Sequence, residues 1–154
     1  MELSGIEFKR IKLSQESTKK LQLFKSRTGL TPNIACRLAL GISIAENNMP
    51  DLELFTEESG QEINRYTLFG EHELILTSLF LQWCHENKID GKVRNKYFLA
   101  HINRGVEFLV NRVRGLENLA QDLRDINKVN NPTNRSGKAP MQNRQEEAPV
   151  QSYL

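Results

Sequence analysis

From Ile6 to Leu13, the apolar residues Ile6, Phe8, Ile11 and Leu13 are interleaved with Glu7, Lys9, Arg10 and Lys12. This period of two slips once, at Arg10-Ile11, which predicts a short edge strand with a bulge or an extended arm. Ser14 then stands where the N-cap of a helix over 15–28 would be, with Leu21 and Phe24 on one face and Lys19, Lys20, Lys25 and Arg27 mostly on the other. Gly29 is the natural stop. Thr31-Pro32 restarts a helix at once, with proline at the first helical position, where its missing N–H costs nothing. Ile34, Leu38, Ile42 and Ala45 are its expected inner face, widened by Cys36, Leu40 and Ile44, and Asn47-Asn48-Met49-Pro50 ends it.

Residues 51–70 read as an acidic loop or weak hairpin whose second arm is the stretch from Ile63 to Phe69. The next segment, 71–88, is apolar nearly all round through Leu74, Ile75, Leu76, Leu79, Phe80, Leu81, Trp83 and Cys84, as expected of a helix central to a core or an interface. After the Asp90-Gly91 turn, one long helix is predicted from about Val93 to Leu123. Its apolar positions Leu99, Ile102, Val106, Leu109, Val113, Leu116, Ala120 and Leu123 are spaced 3,4,3,4,3,4,3, a heptad seam. Gly105 and Gly115 each weaken that helix by ~1 kcal/mol relative to alanine, which suggests a close backbone neighbour.

The pattern gives a mainly α fold: a helix-turn-helix-type domain over 1–123 with a short N-terminal strand or arm, in ribbon-helix-helix order. From 124 to 154 the chain is rich in Asn, Gln and Pro and poor in large apolar side chains, and is expected to be a disordered tail. At 154 residues there is room for one domain and its core. The net charge of +2 is mild, but its distribution is not: residues 1–50 carry eight Lys/Arg against four Asp/Glu, 51–90 two against nine, and 91–125 seven against four. Cys36 and Cys84 lie on apolar segments without a CxxC or Cys/His cluster, as expected of reduced core residues. No signal peptide or membrane span is legible, so a cytoplasmic address is expected.

Catalytic chemistry has little to stand on. The chain has no Gly-rich phosphate loop, HExxH, GxSxG or paired acidic nuclease motif. His72 and His85 flank a helix without sharing a face, His101 sits beside the seam, and Cys84 and His85 point apart as helix neighbours, so neither a metal site nor a nucleophile–base pair is expected. The first helix pair supports contact with nucleic acid instead. A basic extended segment (Lys9, Arg10, Lys12) precedes a capped basic helix (Lys19, Lys20, Lys25, Arg27), and a second helix opens Thr31-Pro32-Asn33 with Arg37 one turn on. Lysines on an amphipathic helix are equally well its solvated side. Phosphate contacts of this kind would give salt-dependent affinity without base readout. The seam residues Leu99, Ile102, Val106, Leu109, Val113 and Leu116, together with the apolar 71–88 helix, offer more surface than so small a chain can bury, so a homo-oligomer is expected through them. The other reading closes the seam within the chain against helix 71–88.

The string RTGLTPNIACRLAL (27–40) resembles the signature of the DndE family of DNA sulfur modification proteins. EINRYTLFGEHE (62–73) and AHINRGVEFLVNRVRGLENL (100–119) resemble the family's later blocks in the same order. The resemblance spans roughly residues 8–123. It implies a role in bacterial DNA phosphorothioation, in which sulfur replaces a non-bridging oxygen of the DNA backbone. It further implies a small, helical, tetrameric, non-enzymatic subunit that needs no cofactor and binds nicked DNA through surface lysines. The chemistry would fall to a cysteine desulfurase, an iron–sulfur partner resembling adenylyl-sulfate reductases and an ATPase. Carried onto this chain, Lys19, Lys20 and Lys25 are the expected phosphate contacts, with Arg27, Asn33 and Arg37 behind them. Asn64, Arg65 and Tyr66, and Asn103, Arg104 and Gly105, are expected to be structural. The alternative is an assembly factor whose basic face meets an acidic protein rather than DNA.

Overall fold

The computed structural model describes residues 5–130, the side chains of 126–130 excepted. The order is β1 (Arg10–Lys12), α1 (Gln15–Thr28), α2 (Pro32–Ile44), α3 (Leu52–Phe55), β2 (Glu62–Asn64), α4 (Arg65–Phe69), α5 (Glu73–Glu86), α6 (Arg94–Arg112) and α7 (Leu119–Asn130). The fold is thus mainly α, with a strand–helix–helix opening. β1 pairs antiparallel with β2 in the register Ile11↔Ile63. The strand expected within 63–69 is therefore limited to the three residues of β2, and its partner is the N-terminal segment rather than a local hairpin arm.

The helix ends follow the sequence. The Ser14 side chain accepts from the Ser17 N–H, and Gly29, at φ 79°, closes α1 in the left-handed region that glycine tolerates without penalty. Pro32 opens α2, although Thr31, its N-cap, makes no side-chain cap. α5 is preceded by a 3-10 turn over Gly70–His72.

The packing of α2 on α6 corrects one expectation and bears out another, the close backbone neighbour of Gly105, whereas Gly115 has no such neighbour among the described residues. The buried face of α2 is Ala35, Cys36, Ala39, Leu40, Ile42 and Ser43, whereas Ile34 and Ala45 are exposed. Small residues face α6 because the helices nearly touch. A Cβ on Gly105 would overlap the backbone carbonyl of Ala39, so the neighbour implied by that glycine is α2 of the same chain.

The heptad seam, expected at an oligomer interface, closes within the chain. Leu99, Ile102, Val106, Leu109 and Val113 are all buried in the one core, and α2 rather than α5 is the main neighbour of α6. The long helix also stops: α6 ends at Arg112, Val113 takes an extended conformation, and a 3-10 turn at Leu116–Asn118 leads into α7. Leu116, beyond that break, is 53% exposed. α7 continues to Asn130, past the Leu123 boundary expected for the domain; the remainder of the expected tail lies outside the described residues.

α5 packs through rings. Phe80 and Trp83 meet Phe98, Tyr97 and His101 of α6, while Phe8 and Phe69 complete the aromatic cluster around Phe98. Its outer face is left bare, with Leu74 64% and Ile75 68% exposed and Leu79 beside them. Among the described residues no helix is long and apolar enough to cross a membrane.

Candidate nucleic-acid interface

The exposed half of α1 follows from its capping and its core face. With Leu21, Phe24 and Thr28 turned inward, Lys19, Leu23 and Arg27 fall four residues apart along one outward row, and Lys25 borders the helix on the other side. Lys19, Lys25 and Arg27 are exposed and form no ion pair among the described residues. Lys25 and Arg27 also lie in the last turn, where the helix dipole favours cations.

Three of the expected phosphate contacts are placed differently. Lys20 is half-buried, with its Nζ 2.9 Å from Glu16 Oε1, one turn earlier. Arg37 is a clamp: its Nε donates to the Leu68 carbonyl at 2.7 Å and Nη2 to that of Thr67 at 3.2 Å, tying α2 to α4. Asn33 lines an open cleft of about 260 Å³ with Pro32, Gln61, Glu62, Ile63, Asn64 and Thr67. That cleft adjoins α1, because the Gln61 N–H donates to Oγ1 of Thr18, the residue before Lys19. Of the extended segment, Lys9 and Lys12 are exposed, whereas Arg10 holds Glu62 at 3.0 Å.

Most of the Asn-Arg residues expected to be structural are so. Arg65 donates from Nη1 to the Ile6 and Phe8 carbonyls and from Nε to Glu73, fixing the N-terminal segment. Asn103 accepts from the Ser14 N–H and donates to the Phe55 carbonyl, holding α1 and α3 on α6. Asn64 and Tyr66 depart from the expectation. Neither makes a side-chain hydrogen bond among the described residues, and Tyr66 is 84% exposed. An aromatic ring inside a block otherwise devoted to packing gave no sequence signal of its orientation, because α4 is too short for periodicity to declare a face.

The buried ionisable groups are locked in one protonation state. Arg104 donates from Nε to Ser43 Oγ at 2.9 Å, from Nη2 to the Ser43 carbonyl at 2.8 Å and from Nη1 to the Asn48 carbonyl at 3.0 Å. It thereby closes the C-terminal end of α2 with a cation, although burial lowers its pKa. Ser43 Oγ also lies 2.8 Å from His101 Nδ1. Arg104 can only donate to that hydroxyl, which leaves the Ser43 proton available to Nδ1 of a neutral His101. The other ring nitrogen, Nε2, has no hydrogen-bond partner among the described residues, and the ring stands at 89° to Trp83 with centroids 4.2 Å apart. Burial, aided by the charge of Arg104, holds the His101 pKa at about 3. The thiols of Cys36 and Cys84 are pushed up by burial to about 12 and 11. Among the described residues no group of three His, Cys, Asp or Glu side chains is placed to hold a metal.

The comparisons with known proteins agree with one another. The family of the DNA sulphur modification protein DndE matches residues 10–115. A crystal structure of DndE from Escherichia coli B7A, described as involved in DNA phosphorothioation modification, is 25% identical. It superposes with a TM-score of 0.57 over 68% of this chain and 98% of its own. A DndE variant with two glycines replaced by lysine, described as involved in DNA phosphorothioation, is 23% identical and superposes at 0.55 over 67% and 98%. No curated protein sequence matches the chain. The family match spans β1 to the end of α6, taking in the first two sequence blocks whole and the third as far as residue 115, so the chain belongs to the DndE family of proteins involved in DNA sulfur modification.

Proposed function

We propose that this chain is the non-catalytic DNA-binding and scaffolding subunit of a DNA phosphorothioation complex, with nicked duplex as its preferred form of DNA. It acts in the cytoplasm beside the ATPase and sulfurtransferase-type subunits that carry the sulfur chemistry. The observation that carries the reading is the outer half of α1, where Lys19, Lys25 and Arg27 stand exposed with no carboxylate engaged among the described residues. Cations free of intramolecular partners are available to phosphates and release counterions on binding. The non-catalytic part is supported by the protonated, buried thiols and by a His101 held neutral in a sealed core.

Self-association, as a tetramer by resemblance to the family, belongs to the same proposal. With the seam closed inside the chain, the outer face of α5, where Leu74, Ile75 and Leu79 are bare, is a cluster of exposed apolar side chains on one helix that a neighbour could cover. That face also favours the second reading, an assembly factor whose contacts are with proteins alone.

Titration of the full-length protein against intact, nicked and single-stranded DNA over a salt series, with mass measured by light scattering, separates the two. Lys19→Glu with Lys25→Glu is expected to flatten the dependence of log affinity on log salt by about two phosphate contacts, each contributing about 0.9 to the slope. A wild-type oligomer that ignores every DNA would leave the assembly reading standing.

A further inference from the structure

The cleft at the start of α2 differs in chemistry from the basic helix beside it. Its side chains are the carboxamides of Asn33, Gln61 and Asn64, the hydroxyl of Thr67, the ring of Pro32 and the buried Ile63. Its single charged residue is an anion, Glu62, already engaged by Arg10. A phosphate would find no cation in it. Three carboxamides present both donors and acceptors, and none of the three spends its side chain on a hydrogen bond among the described residues. Such a lining suits a neutral, planar group with donors and acceptors on its edge. Tyr66 falls between Asn64 and Thr67 in sequence without itself lining the cleft; its ring is 84% exposed and has no hydrogen bond or ring contact among the described residues.

Resting on the DNA reading above, we infer that this cleft and Tyr66 take an unpaired nucleobase. Tyr66 stacks on the face of the base, and the carboxamides of Asn33, Gln61 and Asn64 bond its edge. Base edges pair with Asn and Gln through two-pronged amide contacts, and aromatic side chains accept any base face. In an intact duplex every base is stacked and paired. A base beside a nick, or in a single strand, is the one that can leave the stack at low cost. The division of labour is then physical: the lysines of α1 hold phosphates without regard to strand continuity, and the neutral cleft supplies the preference for a broken strand.

The test uses the full-length protein with three DNAs: an intact duplex, the same duplex nicked with 2-aminopurine beside the nick, and the single strand. Tyr66→Ala is expected to weaken nicked and single-stranded binding about tenfold, the size of one lost base–aromatic stack, while leaving intact duplex unchanged. Tyr66→Phe, which keeps the ring, should bind like wild type, and the quenching of 2-aminopurine should be lost only with the ring. Asn33→Ala with Asn64→Ala should reduce nicked-DNA affinity and spare the quenching. Wild-type binding that Tyr66→Ala leaves unaltered on all three DNAs would overturn this inference alone. A wild-type protein that binds none of them would overturn the DNA reading and this inference with it.

Discussion

An Asn-Arg pair opens both Asn64-Arg65-Tyr66, at the entrance to α4, and Asn103-Arg104-Gly105, in the middle of α6. In the second block every polar group is engaged inside the chain: Asn103 joins Ser14 to Phe55, and Arg104 joins Ser43 to Asn48. Gly105 has given up its side chain to the backbone of Ala39. In the first block only the arginine is engaged, while Asn64 and Tyr66 face solvent. The difference follows from the elements that carry them. A 19-residue helix crossed closely by α2 has no surface at its centre, and any polar group there must be matched within the fold. A five-residue helix at a strand's end has one side fixed and one side open. Where the chain pays for order, it does so at 103–105; where it leaves bonding capacity unused, at 64 and 66, that capacity is available to something else.

The comparison breaks most visibly at α6. Arg104→Leu strips the Ser43 and Asn48 carbonyls of their donor in a buried site, and is expected to cost about 3–5 kcal/mol in urea unfolding. Gly105→Ala pushes a methyl into the Ala39 carbonyl, which belongs to a helix and cannot swing aside, for about 3 kcal/mol. Either variant unfolding at the wild-type urea midpoint would mean that the α2–α6 junction is looser than described.

Arg65→Ala is the same test at the other block. It removes bonds to two carbonyls and to Glu73, together with the guanidinium stacked within 6 Å of the Phe8 and Phe69 rings, but in a half-exposed setting. About 2 kcal/mol is expected. Because Arg65 anchors the N-terminal segment, the loss should appear first as faster amide exchange in β1.

How far the sequence carries can be judged from these same residues. The strand–helix–helix opening was legible because Ser14, Gly29 and Pro32 act locally, through capping geometry and fixed φ. The burial of the seam was not. A 3,4 spacing announces a helical neighbour without saying whose helix it is, and the answer lay in the small residues Ala35, Ala39 and Gly105, whose significance is visible only once α2 and α6 meet. Nor could the pattern show that Val113 turns extended and ends the helix, since the heptad continues through it. Of the candidate site, the basic character of α1 was plain, but composition does not distinguish a free lysine from one tied to a carboxylate. Lys20 pairs with Glu16 on the surface of its own helix, Arg37 ties α2 to α4, and Tyr66 has no hydrogen bond among the described residues.

His101 sharpens the contrast through pH. Its pKa of about 3 in the fold lies below the usual 6.5, so the unfolded chain takes up a proton that the folded one refuses. Stability should therefore be unaffected by this group above about pH 6.5 and fall as pH drops toward 3, by ~1.4 kcal/mol per unit. Between pH 6.5 and 5, where carboxylates contribute little, the expected loss is about 2 kcal/mol. The His101→Gln variant, less stable at neutral pH, should lose that slope. A wild-type protein equally stable at pH 7 and pH 5 would contradict the buried, neutral ring.

The smallest effect on stability is expected where the functional argument is strongest. Asn64→Ala and Tyr66→Ala remove exposed side chains with no hydrogen-bond partner among the described residues, so thermal and urea unfolding should stay within about 0.5 kcal/mol of wild type. Measured beside Arg65→Ala in the same buffer, they test whether neighbouring positions in one short helix divide into structure and surface. A loss of 2 kcal/mol or more from Tyr66→Ala would place its ring in the packing of the free protein and remove the ground for assigning it to a base. Near-neutral stability, joined to a change confined to nicked and single-stranded DNA, would leave binding as the one property to which that side chain contributes.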